Sequence, residues 1–312
     1  MSSQISFSRW SPRTKFSLPY SSYNAYSGEL RRMYITMVSS HKYVYSTLHK
    51  DKMAKWEDLP NKYFDFNTGI KKTNAYFLNL KEWSKSYNKL ENWVNLNTLI
   101  SINANLEIYM ASIIKLSLES DVGVIYGMPQ SIDGIKVIKS GGTFDFSKEI
   151  ESCVKGMWET RFNNFKKMFK DAPLKLKNSI PVLNKIRKIR NDTAHAFGRD
   201  IAEAQNIHKL QKLDSIIIRL DKVIEYWNIV DECVQEIDKL LYRNHVGEYQ
   251  LLYFYHNMKK EIESEIKCEH RVITTGDCAR RFRKKYGQSE KNGINTLGAK
   301  FCKELVHYYD SL

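Results

Sequence analysis

Apolar side chains recur at every third or fourth position through most of the chain beyond about residue 30, which is the periodicity of amphipathic helices. The stretch from Trp93 to Glu119 shows this spacing over many turns. The positions that recur along this predicted helix are Leu96, Leu99, Ile100, Asn103, Leu106, Tyr109, Met110, Ile113, Ile114 and Leu118. Because nearly all of them are apolar, we expect the helix to form one wall of a bundle.

Further helices follow with the same spacing. They cover about residues 147–172, 176–197, 200–241 and 249–266, and two or three short helices are predicted beyond them. Pro173 and Gly198 supply stops at the ends of the first two, and Asp200 is a suitable N-cap for the third. The pattern therefore predicts four principal helices between about residues 93 and 243.

Residues 121–146 interrupt the helical pattern. Gly123, Gly127 and Pro129 break it, and a short apolar run from Ile135 to Ile138 precedes a pair of glycines at Gly141. An apolar run followed by a glycine turn is typical of strands, so this segment predicts a small β-hairpin inserted between helices.

Aromatic residues are concentrated near the N-terminus, with 17 Phe, Tyr or Trp between Phe7 and Tyr87. The first thirty residues lack a clear period and are expected to be partly extended. Rings interleaved with lysines could stack nucleic-acid bases, but in a helical region they more often belong to the core or to a partner contact.

Composition narrows the fold class. Of 312 residues, 42% are apolar and only 20 are glycine or proline, which favours helices over a sandwich or a barrel. We therefore predict an all-α protein: a helical bundle at residues 91–245 with the hairpin insertion, an aromatic-rich helical extension at 1–90 and a basic helical extension at 246–312.

Membrane-spanning segments, signal sequences and cysteine pairs are the sequence features that bear on the cellular compartment. The uncharged run from Val94 to Leu106 holds four asparagines and is too short to cross a bilayer, and Met1 to Trp10 has no apolar signal core. The five cysteines include no C-x-x-C pair, so reduced thiols are expected. These features predict a cytoplasmic protein without a membrane contact.

Charge is the least ordinary property of the chain. The net charge is +14, and the 36 residues from Lys155 to Arg190 hold eleven Lys or Arg against two acidic residues. A second cluster occupies residues 280–285. A single cluster of basic residues commonly only keeps one helix face in contact with water. Two clusters in one chain favour a phosphate-bearing partner such as RNA. The predicted RNA contacts are Lys185, Arg187, Lys188, Arg280, Arg281 and Arg283.

A candidate catalytic group lies at the end of the most basic helix. Asn191 and His195 are four residues apart, so a continuous helix places them on one face, and the long side chain of Arg190 can reach the same volume. Imidazole exchanges protons near neutral pH, and guanidinium holds phosphoryl oxygens. This trio suits phosphodiester cleavage without metal, in which a neighbouring 2′-hydroxyl attacks phosphorus and the guanidinium stabilises the developing charge.

The sequence Arg190-Asn191-x3-His195, at a helix end beside a glycine stop and after three bundle helices, resembles the defining motif of the HEPN superfamily: Arg, a polar residue, a few residues and His. The resemblance covers about residues 90–245. It implies that Arg190 and His195 are the catalytic pair, with Asn191 as the polar companion, in a metal-independent endoribonuclease that needs no cofactor. Similar proteins act in toxin-antitoxin, abortive-infection, anticodon-nuclease and CRISPR systems, which implies a role in anti-phage defence or growth arrest and an antitoxin or sensor partner.

One histidine per chain is too few for in-line cleavage, which needs a base and an acid on opposite sides of phosphorus. A two-fold homodimer would supply both, and HEPN nucleases are known for such composite sites. The alternatives are a non-catalytic HEPN-like protein that binds RNA or a partner, and an unrelated helical protein in which Asn191 and His195 only satisfy helix ends.

Other candidates are weaker. The spacing of the C-terminal cysteines and histidines, Cys268, His270, Cys278, Cys302 and His307, matches no familiar zinc finger, so no metal site is predicted. Glu107 could orient the motif but is more simply a surface carboxylate, and His208 is expected to face solvent.

Overall fold

A computed structural model describes residues 7–51, 54–66, 77–196, 215–269, 274–286 and 297–312. These residues are predominantly helical and form no strand, so the all-α prediction is confirmed. The α-helices are α1 (Leu18–Lys50), α2 (Leu80–Ser120), α3 (Gly134–Lys139), α4 (Ser147–Val154), α5 (Trp158–Phe169), α6 (Leu174–Ala196), α7 (Leu220–Leu241), α8 (Tyr249–Glu269), α9 (Thr275–Tyr286) and α10 (Ala299–Ser311). Short 3-10 turns at Pro60–Lys62 and Val122–Tyr126 and a π-turn at Tyr242–Val246 connect them.

The chain forms two compact units. Unit 1 comprises Met1–Ala25, Asn105–Asn184 and Ile229–Leu312, and unit 2 comprises Tyr26–Ala104 and Lys185–Asn228. Their limits do not coincide with residues 90 and 245, where the sequence suggested segment boundaries. The motif helix α6 contributes its first half to unit 1 and its motif-bearing half to unit 2.

The predicted β-hairpin is wrong. Residues 134–139, which include its apolar run, form helix α3, and the extended pairing in this segment is limited to a single bridge between Asp121 and Asp133. The Asp133 carboxylate accepts a hydrogen bond of 3.0 Å from the backbone N–H of Ile135 and so caps the helix. An N-cap directly before the apolar run outweighs the strand propensity of β-branched residues.

The helix predicted at 147–172 is instead divided into α4 and α5. Gly156 adopts a positive φ of 91°, and its neighbours Lys155 and Met157 are extended. Arg161, on the first turns of α5, donates from Nε to the Gly156 carbonyl at 3.0 Å. A glycine in the left-handed region thus ends α4, although apolar residues keep their helical spacing through this part of the sequence.

The N-terminal region is helical earlier than predicted, because α1 begins at Leu18. The Ser17 hydroxyl accepts from the Tyr20 backbone N–H at 3.1 Å, which is an N-cap interaction. The Ser17 backbone N–H and hydroxyl also donate to the carboxylate of buried Asp238 on α7. This contact fixes the helix start against a residue 221 positions away.

Helix α2 extends the predicted 93–119 helix at its N-terminal end. It is long and apolar enough, by length and composition, to cross a membrane, and the same property is common in core helices. Its face carries fully buried side chains such as Leu99, Ile113, Ile114 and Leu118. We therefore assign α2 as a core helix.

The long helix predicted from Asp200 to Leu241 is observed over α7 alone. Residues 215–219 precede α7 without helical structure, and Asp200 with its predicted cap lies outside the described residues. Two asparagines of α2 hold this segment. Asn92 accepts from the Ile218 N–H at 2.8 Å and donates to the Ile216 carbonyl at 2.9 Å, and Asn95 donates to the Ile218 carbonyl at 2.8 Å.

Candidate functional site

The motif occupies the last two turns of α6. Pro173 precedes α6. The helix buries the apolar stripe formed by Leu176, Leu183, Ile186 and Ile189, and this burial determines which of its other faces meet solvent. Arg190 and Asn191 are half-buried, whereas His195 is exposed. The imidazole is thus open to a ligand, while the guanidinium and the amide lie partly within the protein surface.

Arg190 and His195 are five residues apart, so their Cα–Cβ directions differ by about 140° around the helix. Asn191 and His195 differ by only about 40°. The Arg190 guanidinium donates from Nη1 to Oδ1 of Asn191 at 2.9 Å. Asn191 therefore draws the guanidinium around the helix toward the face that carries His195.

The predicted RNA contacts beside the motif differ in their surroundings. Lys185 and Lys188 are exposed, and Arg187 is half-buried. Nζ of exposed Lys188 lies 3.0 Å from Oδ2 of Asp192, which is half-buried one turn further along the helix. These residues share one helix face, because each follows the previous one by three or four positions: Lys185, Lys188, Asp192 and His195.

The second basic cluster lies on α9, in unit 1, whereas the motif lies in unit 2. Arg280, Arg281 and Arg283 are all exposed. Arg280 pairs with Asp277 at 3.2 Å, and Arg283 donates from Nε to the Leu297 carbonyl at 3.1 Å. Part of the charge of this cluster is therefore already neutralised or hydrogen-bonded within unit 1.

Glu107 is not the simple surface carboxylate that the sequence suggested. It accepts from Arg161 of α5 at 3.1 Å, and the Arg161 side chain is only 5% exposed. The Arg161 guanidinium also stacks over the Trp158 ring at 4.6 Å. Glu107 therefore joins α2 to α5 within unit 1.

The remaining sequence candidates contribute no metal centre to the described chain. His208, His270 and the side chain of Cys268 lie outside the described residues. Among the residues that the structure does describe, no group of three or more His, Cys, Asp or Glu side chains could hold a metal ion.

Two buried polar contacts in unit 1 were not predicted from the sequence. His245 Nδ1 lies 2.9 Å from the Asp121 carboxylate, and Arg9, 3% exposed, donates from Nε to Asp133 at 3.3 Å and from Nη1 to the Val246 carbonyl at 2.7 Å. Burial lowers the pKa of Arg9, and the Asp133 charge opposes that shift. The partners are more than 120 residues apart, so no local pattern announces them.

Comparisons of the chain with protein-family models, with curated proteins and with solved structures gave no match. The chemistry assigned to the site therefore rests on its own residues.

Proposed function

We propose that this protein is a metal-independent endoribonuclease of the HEPN type, with Arg190 and His195 as the catalytic pair and Asn191 as their polar companion. The observation that carries the proposal is the hydrogen bond from Arg190 to Asn191 directly below an exposed imidazole. It joins a guanidinium to an amide one helical turn before an imidazole, at one end of a basic helix. That set matches the requirements of phosphodiester cleavage.

In the proposed reaction the ribose 2′-hydroxyl of RNA attacks the adjacent phosphorus, and the 5′-oxygen of the next nucleotide leaves. His195 takes the proton of the attacking hydroxyl or returns one to the leaving oxygen. Arg190 holds the non-bridging oxygens, whose negative charge increases in the transition state. Exposed Lys185 and Lys188 bind phosphates of the flanking strand and set its path along α6.

A homodimer completes the site. One imidazole cannot stand on both sides of the phosphorus, so the second copy provides the other. The exposed position of His195 at the helix end supports this arrangement, because the residue is open to a partner protomer.

The direct test is cleavage of single-stranded RNA in EDTA. We expect activity in the native chain and its loss in Arg190→Ala and His195→Ala, each with an unchanged circular dichroism spectrum. Arg190→Lys should also lose most activity, because a lysine keeps the charge without the guanidinium fork. His307→Ala, which removes another exposed helical histidine, is the matched control. A requirement for added Mg²⁺, or full activity in His195→Ala, contradicts the proposal.

A second candidate function is RNA or partner binding without catalysis. The observation that favours it is the exposed basic cluster on α9, which requires no imidazole to attract phosphates. This function predicts salt-sensitive RNA binding that His195→Ala leaves unchanged, with no cleavage product.

The biological setting that we propose is cytoplasmic anti-phage defence or a toxin-antitoxin system, with an antitoxin or sensor as the regulating partner. A free ribonuclease arrests growth when it is expressed. We therefore expect the native chain to slow bacterial growth on induction, and the His195→Ala chain to leave growth normal at an equal protein level.

A further inference from the structure

A cavity of about 630 Å³ opens at the end of α1, within unit 2. It is lined by residues of the last turns of α1, by Asp51 and residues 54–56, and by Leu80 at the start of α2; the polar and aromatic side chains among them are Tyr45, Ser46, His49, Asp51, Lys55 and Trp56. Its volume falls within the range of pockets that bind small organic ligands. Nothing in the proposed cleavage mechanism uses it.

Trp56 is 54% exposed at this cavity, although the loop that carries it is fixed. The Asp58 carboxylate accepts from the Lys55 backbone N–H at 3.0 Å and from the Tyr63 hydroxyl at 2.6 Å. The Lys81 backbone N–H donates to the Trp56 carbonyl at 3.2 Å. These bonds fix the backbone that carries the indole, and the side chain remains largely exposed.

Neighbouring rings in unit 2 are used differently. Phe64 stacks on Trp83 with centroids 4.4 Å apart, Trp83 on Tyr87 at 4.7 Å, and Tyr87 on His41 at 4.2 Å. Each of these rings has a protein partner for its face. Trp56 is not part of this stack, and none of the ring contacts among the described residues involves it. At 54% exposure its indole can be reached by a flat ligand.

The polar lining adds a second recognition element. Lys55 contributes an ammonium group, His49 an imidazole and Asp51 a carboxylate, and the Ser46 hydroxyl can donate or accept a hydrogen bond. A flat aromatic face beside a lysine and hydroxyl group is the combination that recognises a base with its phosphate. The overall charge of +14 favours such an anionic ligand.

We propose that this cavity binds a nucleobase, which stacks on Trp56 while Lys55 pairs with the attached phosphate. The same chemistry is offered by an unpaired base of single-stranded RNA and by a free nucleotide. Binding of an RNA base rests on the proposed function, because the cavity would then hold the strand that is cleaved. Binding of a free nucleotide does not depend on that function.

The test measures binding of a fluorescent 2′-O-methyl RNA oligonucleotide of about twelve nucleotides to the full chain. Because its 2′-oxygens are blocked, this strand cannot be cleaved by 2′-hydroxyl attack. We expect Trp56→Ala to weaken binding about five- to tenfold and Trp56→Phe to keep most of it. Lys55→Ala should weaken binding and reduce its salt dependence. Trp93→Ala removes a 44% exposed tryptophan of α2 outside the cavity and should change nothing.

A second set of titrations uses AMP, CMP, GMP and UMP. Binding of a mononucleotide that Trp56→Ala weakens assigns the cavity to free nucleotides, whereas Trp56-dependent binding of the oligonucleotide alone assigns it to the RNA strand. Equal affinities of the native chain and Trp56→Ala for every ligand, or equal losses in Trp56→Ala and Trp93→Ala, overturn the proposal. Neither result depends on cleavage, so failure of the nuclease proposal would be seen separately, in the activity of the native chain.

Discussion

At the scale of single residues, the arrangement of the motif depends on Asn191. Helix geometry alone points Arg190 about 140° away from His195, and the amide of Asn191 redirects the guanidinium through a 2.9 Å hydrogen bond. Sequence reasoning foresaw that Asn191 and His195 share a face, because that follows from spacing. It could not foresee the contact between adjacent residues 190 and 191, because spacing does not fix side-chain rotamers.

Replacement of Asn191 should therefore show how much the position of the Arg190 guanidinium contributes to cleavage, because the charge of Arg190 is kept. Asn191→Ala removes the acceptor, and we expect the rate constant of RNA cleavage to fall about tenfold or more, since hydrogen bonds to charged groups contribute roughly 1.5–3 kcal/mol. Asn191→Asp keeps an acceptor oxygen at the same place and should recover much of the rate. If both variants cleave at the native rate, Asn191 has no positioning role.

The ion pair between Glu107 and Arg161 is expected to contribute to the stability of unit 1. Glu107→Gln leaves the 5% exposed Arg161 guanidinium without its carboxylate partner. Since Glu107 itself is one-quarter exposed, we expect a loss of only about 1–2 kcal/mol in the free energy of unfolding, measured with urea. Lys155 and Glu151 form an exposed pair, so Glu151→Gln is the control and should cost clearly less than Glu107→Gln.

At the scale of elements, the sequence predicted periodic helices well and their interruptions poorly. The observed α6 and α8 overlap the predicted helices closely, and α2 contains the predicted 93–119 helix, because each has a long apolar stripe. The division at Gly156 and helix α3 were missed, since a single left-handed residue and a single capping carboxylate leave no trace in an apolar period. The sequence analysis assigned no role to Asn92 and Asn95, which hold residues 215–219.

Gly134 shows why α3 fits where a hairpin was expected. A Cβ at this position would lie 1.6 Å from the Glu119 carbonyl oxygen, so the backbone of α3 approaches the end of α2 more closely than any side chain permits. Gly134→Ala should destabilise the protein by about 1–3 kcal/mol or more in thermal or urea unfolding. Gly276→Ala, where the nearest atom lies 3.6 Å from the added Cβ, should be neutral or slightly stabilising. A similar effect at both positions would contradict the close approach.

At the scale of the whole molecule, two buried carboxylates of unit 1 make stability depend on pH. Burial raises the pKa of Asp238 to about 6 and that of Glu248 to about 7. Hydrogen bonds from Ser17 oppose the shift at Asp238, and the Arg13 backbone N–H opposes it at Glu248. Both carboxylates therefore bind protons more tightly in the folded protein than in the unfolded chain.

A group with a raised folded pKa stabilises the protein fully below its unfolded pKa, and this contribution is lost as the pH rises through the folded value. We expect the contribution of these two groups to the free energy of unfolding to fall by a few kcal/mol between about pH 4 and pH 8. In urea titrations, Glu248→Gln should flatten the upper part of this curve; an unchanged slope would show that Glu248 titrates normally.

The composite site is also a property of the whole assembly. If cleavage requires a histidine from each of two protomers, mixing native chain with His195→Ala under subunit exchange should lower activity with the square of the native fraction. At one native chain in ten, this predicts about one-hundredth of the activity of pure native protein at equal total concentration. A linear decrease to about one-tenth would mean that each chain cleaves alone.

The distance along the chain between Ser17 and Asp238 also has a consequence for synthesis. The N-cap of α1 finds its carboxylate only after 221 further residues have been added. At ribosomal rates of about 5–20 residues per second, the nascent N-terminus waits roughly 10 to 45 seconds for that partner. During this interval the start of α1 lacks its carboxylate partner, so synthesis of the Asp238 region sets the earliest time at which this end of the helix can be fixed.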